Sequence, residues 1–296
     1  MSRVLLLAVL VLAWPASALG WGGTYPTGDS LGTSIDVEVS DSIPVDAALP
    51  QTWATFFGSL LHGPELASLT LDLEPQAEVA LACGSGALAC YRRSSATIFA
   101  SPDDQPNEPS ARDVLIHEYG HHISNRRSNA PWPAEDYGTK RWATYEHVCV
   151  RAENGTALPG NETEGYALNP GEAFAESYRV LNLTREHVSP IAWDVVDASF
   201  RPNATALGLL EQDVLHPWTG PATATYRGTG TRLLRVATPL DGSFSARTTG
   251  SPRLVLLLSG KPVLHGSRIA YRVCGQRTVV LRVVAKGRWA VTVSRP

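Results

Sequence analysis

Apolar and polar positions change rhythm along this chain, and the rhythm predicts the elements. Asp36 to Ser40 alternates as a half-buried strand does. Pro50 to Leu61 carries Trp53, Phe56, Phe57, Leu60 and Leu61 at helical spacing, which predicts a helix with one buried stripe. Leu69 to Leu73 and Ala96 to Ala100 read as two more strands, the latter ending at Ser101-Pro102. Residues 21–34, rich in Gly, Thr and Ser, read as a loose leader.

From Ser110 to Asn125 the period becomes helical. Ser110 followed by Asp113 is a capping box, Pro109 suits the entrance, and Val114, Leu115 and Ile116 anchor the first turns. Lys140 to Arg151 has helical character, with Trp142, Tyr145 and Val148 on related faces. Asn169-Pro170 opens a further helix, because Asn caps well and Pro is at home in the first turn. Ile191 to Phe200 and Ala204 to Leu215 read as short helical pieces. Beyond Pro221 the chain becomes short apolar runs broken by Gly, Pro and Ser. The runs are Leu233–Ala237, Ser243–Arg247, Leu254–Leu258, Ile269–Val273, Val279–Val284 and Trp289–Val293, and six or seven strands in 222–296 predict a small all-β sandwich.

The first twenty residues stand apart. Arg3, the apolar run Val4 to Trp14 and Ala16-Ser17-Ala18 read as a signal peptide, cleaved after Ala18 or Gly20. The run is short for a bilayer span, so the expectation is a secreted protein with no stable membrane insertion after cleavage. A net charge of −3 gives no reason to expect nucleic acid or an anionic membrane as partner. The four cysteines, Cys83, Cys90, Cys149 and Cys274, suggest two disulfides in an exported chain. Three connectivities are open; the Gly-rich loop between Cys83 and Cys90 favours that pair, leaving Cys149 for Cys274.

Chemistry is concentrated in the capped helix. His117, Glu118 and His121 form H-E-x-x-H. Positions i and i+4 share a helix face, so both imidazoles can grip one Zn2+ ion while Glu118 reaches a water there. His122 points about 100° away and belongs to the support or the surface. A catalytic zinc usually has three protein ligands. The extension H-x-x-G-x-x-H fails, since residue 124 is Ser and residue 127 is Arg. Glu172 and Glu176, one turn apart on the Asn169-capped helix, are the available carboxylates; Glu172 also stands where a capping residue would.

The two helices together resemble the gluzincin type of zincin metallopeptidase. Residues 172–179, Glu-Ala-Phe-Ala-Glu-Ser-Tyr-Arg, are similar to the ligand helix of the anthrax lethal factor-like peptidases. The resemblance implies an α+β fold: a zincin-like catalytic domain over 21–218, with a small sheet above the active-site helix and a helical subdomain after it. The sandwich over 222–296 resembles those appended to secreted bacterial peptidases. It further implies Glu172 as the third ligand, Glu176 as support for a ligand His, and Tyr166 as the donor facing the developing oxyanion. One departure is plain: family members often carry Asp where Glu176 stands. The expected function is zinc-dependent hydrolysis of peptide bonds in a peptide or protein substrate, with Glu118 as the base. Two rival readings are an exported binding or cell-wall-associated protein with an inactive site, and a zinc hydrolase of non-peptide amides.

Overall fold

Two apolar cores organise the chain in the computed structural model, which describes residues 20–191, 193 and 195–296. The expected signal peptide, apart from Gly20, lies outside the described residues. The architecture is mixed α and β.

The first core lies under a five-stranded sheet. Its strands are β1 (Trp21–Pro26), β2 (Ser34–Val39), β3 (Thr70–Leu73), β4 (Ala89–Arg92) and β5 (Thr97–Ala100), in the order β1-β2-β3-β5-β4. The three inner strands run parallel, and β1 and β4 pair antiparallel at the two edges. Alternation decides the faces: Ile35, Val37, Leu71, Leu73 and Ile98 are buried, while Asp36, Glu38 and Asp72 occupy the opposite face. Against the buried face lie α1 (Ala48–Ser59) and α3 (Ala111–Asn125), with Phe57 edge-on to Tyr119. Between β3 and β4 runs α2 (Gln76–Cys83).

Residues 21–34 are therefore not a loose leader. Trp21 to Pro26 pair with Val39 to Ser34, residue for residue, so the Gly-rich segment is an edge strand. Gly22 is required there: its φ is +142°, and a Cβ would stand 2.0 Å from the Val37 carbonyl oxygen.

After α3 the chain makes three short helices, α4 (Ala134–Tyr137), α5 (Lys140–Tyr145) and α6 (Val148–Glu153). The single helix expected over 140–151 breaks at His147, whose φ of +54° ends one helix and starts the next. The long helix α7 (Pro170–Arg185) follows and crosses α3, and α8 (Ala204–Leu215) closes this part. The helix expected over 191–200 does not form as such. Among the described residues there, only Ala198–Phe200 make a helical turn, of 3₁₀ type.

The second core is enclosed by eight antiparallel strands, more than the six or seven expected. They are β6 (Ala222–Thr229), β7 (Arg232–Ala237), β8 (Gly242–Thr248), β9 (Arg253–Leu258), β10 (Lys261–Gly266), β11 (Arg268–Val273), β12 (Thr278–Val284) and β13 (Arg288–Arg295). They form two four-stranded sheets, β10-β9-β12-β7 and β11-β8-β13-β6, sharing Val236, Phe244, Leu256, Leu281 and Val291 between them. The two cores are tied together. Cys149 is bonded to Cys274, and the Asp241 backbone N–H donates to the Thr144 hydroxyl. The other disulfide joins Cys83 to Cys90. No helix among the described residues is long and apolar enough to cross a membrane.

Candidate metal centre

Ser110 starts α3 as its sequence says it should. Its hydroxyl oxygen accepts the Asp113 N–H at 3.2 Å and its O–H donates to the Asp113 carboxylate at 2.6 Å. The helix is buried nearly all round, so its position is fixed from every side. Asn169 caps α7 in the same way, accepting from the Gly171 N–H at 3.0 Å. What lets the two helices touch is Gly120, immediately before the second His. A Cβ there would lie 2.7 Å from the Ala175 Cα, closer than real carbon contacts permit. Gly120→Ala is expected to cost about 1–3 kcal/mol as overpacking against backbone. It should also weaken metal binding, because the residue next to it is His121. Thermal unfolding and metal titration of the variant check both, and an unchanged metal affinity would refute the positional argument.

The crossing brings His117, His121 and Glu172 together. Each offers one ligand atom within 4.8 Å of the others. Both imidazoles direct Nε2 at one carboxylate oxygen: Glu172 Oε2 is 3.1 Å from His117 and 3.5 Å from His121. Metal–ligand bonds of about 2.0–2.1 Å in a tetrahedron put neighbouring ligand atoms roughly 3.3 Å apart, so these spacings fit a small divalent cation. Glu176 sits behind. Its Oε2 is 3.9 Å from His117 Nδ1, an atom buried without a hydrogen-bond partner among the described residues. Arg179 holds Glu176 by two bonds of 2.8 Å, and reaches the Asp113 carboxylate at 2.7 Å and the Ile191 carbonyl at 2.9 Å.

The electrostatics follow from this crowding. Burial pulls the His117 imidazole down, but the Glu172 and Glu176 carboxylates outweigh it and push it up to about 10. Burial also favours neutral Glu172; His121 and His117 overcome that and hold its carboxyl well below the usual range. Glu118 goes the other way. Burial raises it more than the two imidazoles lower it, which makes it a better proton acceptor than an exposed Glu.

Glu118 and the three clustered residues line one cleft of about 840 Å³. The edge strand β4 contributes Ala89, Cys90 and Tyr91 to its wall, and Trp193 stands with its ring 5.1 Å from that of His117. Glu108, Glu135 and Glu162 add acidity, Glu135 being paired with Arg93 at 2.9 Å. Tyr166 enters from the turn before α7 and donates its hydroxyl to Glu172 Oε2 at 2.5 Å. Burial, with Glu172 beside it, raises the phenol so that it stays protonated.

Other aromatic and imidazole side chains of these elements fall outside this cluster. Tyr178 is core, with its hydroxyl on the Leu61 carbonyl. His122 is fully buried rather than at the surface, between the Glu65 carbonyl at 3.0 Å and the Tyr91 hydroxyl at 3.1 Å. Trp132 stacks on Tyr137, outside the cleft lining. Two contributors went unassigned in the sequence: Trp193, which carried no motif, and Arg179, whose spacing of three from Glu176 on one helix was the available signal.

No protein-family model matches this sequence, and no curated protein matches it. Among solved structures, it is similar at 10% identity to the capsular polysaccharide assembling protein CapF from Staphylococcus aureus. That alignment covers 88% of this chain and 81% of the other, with a TM-score of 0.16, too low to bear on fold or function.

Proposed function

We propose that this chain is an exported zinc metallopeptidase of the gluzincin type, with a zincin-like catalytic domain and a C-terminal β-sandwich. The supporting observation is the convergence of two imidazole Nε2 atoms on one Glu172 oxygen, with Glu118 in the same cleft. His117, His121 and Glu172 would hold the ion, and Glu176 would orient His117 through its Nδ1. The chemistry such an ion supplies when bound is Lewis acidity, which polarises a carbonyl and acidifies a water.

The protein's own groups do the rest. Among the described residues strand β4 is paired on one side only, so its open edge beside the cleft can receive an extended peptide as an added strand. Glu118 removes a proton from water as its oxygen bonds to the scissile carbon. It then delivers that proton to the amine as the C–N bond breaks. Tyr166, a neutral donor kept protonated by its surroundings, faces the oxygen that gains charge. Two disulfides among the described residues agree with an oxidising destination.

Metal analysis and digestion of a mixed peptide library test this reading together. The expectation is one zinc per chain, cleavage abolished by a chelator, and recovery on adding zinc. Stoichiometric zinc with no cleavage of any peptide would sink the peptidase assignment while leaving the metal centre standing.

A further inference from the structure

The whole-chain charge conceals a division. Residues 20–221 carry 11 Lys and Arg against 27 Asp and Glu, a net of −16. Residues 222–296 carry 13 Lys and Arg against one acid, Asp241, a net of +12. That one acid is buried and paired with Arg277 at 2.8 Å. All thirteen cations except half-buried Arg295 are exposed. A surface built only to stay dispersed mixes both signs; a field of one sign is an attractor for the opposite charge.

The sheet β11-β8-β13-β6 concentrates this charge on an ordered face. Phe244, Ala246, Ile269, Val291 and Val293 turn inward, so their neighbours turn out. Strand register lines those neighbours up in rows. Arg268 stands opposite Arg247, Arg247 opposite Thr292, and Thr292 opposite Thr225. One step along, Ala270, Ser245, Ser294 and Thr223 form a second row. Between the rows runs a shallow groove of about 360 Å³. Two like charges directly opposite on paired strands destabilise a sheet. Neither Arg247 nor Arg268 has an ion-pair partner among the described residues, and an anion between them would remove that repulsion.

We propose that this face binds an anionic polysaccharide, and so anchors the protein on a carboxylated or sulfated glycan. The guanidinium fork matches carboxylate and sulfate oxygens in pairs. The hydroxyls of Ser245, Ser294, Thr223 and Thr292 match sugar hydroxyls. Single-stranded nucleic acid fits less well: its binders offer aromatic rings for stacking, and here Phe244 and Trp289 are buried while Tyr226 and Tyr271 pack against the core. A bilayer fits less well too, since exposed Leu233 and Val284 belong to the other sheet. The acidic remainder of the molecule repels a polyanion, which confines binding to residues 222–296. Nothing here depends on the metal or on peptidase activity.

The test uses the full exported chain with polyuronate and dextran sulfate as probes and neutral dextran as control. Two double variants remove equal charge: Arg247→Ser with Arg268→Ser on this sheet, and Arg235→Ser with Arg282→Ser on the other. The first should weaken binding of both anionic polymers about 10-fold or more, the loss of one charge-assisted contact or more. It should unfold no earlier than the parent, because it removes a repulsion. The second should weaken binding by less than about 3-fold. Equal losses in the two variants would reduce the effect to bulk charge and overturn the site. Absence of binding to either polymer, or tighter binding to duplex DNA or phosphatidylglycerol vesicles, would overturn the glycan. If the first double variant does not fold, Arg247→Ser alone carries the comparison.

Discussion

Glu118→Gln should lower kcat for peptide cleavage by about 10³-fold, within the range that one positioned base supplies. That factor corresponds to roughly 4 kcal/mol of barrier. The amide is nearly the same size as the carboxylate, so the buried helix should tolerate it and zinc content should stay at one per chain. The reason for so large an effect is local. Two carboxylates near Glu118 are committed: Glu172 receives His117, His121 and Tyr166, and Glu176 is held by Arg179. Glu118 combines a raised pKa with a place in the cleft beside both imidazoles. Steady-state kinetics with metal analysis on the same sample decide the matter. A variant within 10-fold of the parent would move the base elsewhere, and Glu162, which also lines the cleft, would be next to test.

Much of the cleft could be read in the sequence because it is built from local signals. Ser110 with Asp113 and Asn169 with Pro170 announce two helix starts, and spacing on each helix then selects His117, His121, Glu172 and Glu176 as neighbours. What no local signal contained was the crossing of the helices, which depends on Gly120 meeting Ala175. Strands divide in a similar way. Central strands such as β12 and β13 bury every second side chain, so their alternation is strong. Each strand that went unread, β1, β4, β6 and β10, lies at the end of its sheet. An edge strand buries less, and tolerates Gly22 and Gly23 in β1 or Pro262 in β10, so it leaves a faint pattern.

A whole-chain average hid one feature of the molecule. A net charge of −3 averaged an acidic part with a basic one and hid the single-signed sheet face. Among the described residues, one 3₁₀ turn at Ala198–Phe200 replaces the helix expected over 191–200. There the Ile191 carbonyl is taken by Arg179 and Trp193 leans on His117, so the backbone serves the site instead of a helix.

Arg179 carries the last large effect. It is fully buried, and its guanidinium joins Glu176, Asp113 and the Ile191 carbonyl, linking both site helices and the chain after α7. Arg179→Met keeps most of the volume but leaves Glu176 buried without its cation. Breaking such a pair from one side costs about 3–5 kcal/mol at neutral pH. The pH dependence separates this from simple packing loss. In the parent, burial opposes ionisation of Glu176, but Arg179 and His117 win and depress its pKa, so its contribution is present above the unfolded value of about 4.3 and fades as pH falls below it. Without Arg179, burial dominates and the carboxyl takes up a proton on folding, which relatively stabilises the variant in acid. The stability gap, measured by urea unfolding, should therefore be largest near pH 7 and narrow towards about pH 4. A gap that stays constant across that range would show that Arg179 acts through packing, and would remove the argument that Glu176 is held charged behind His117.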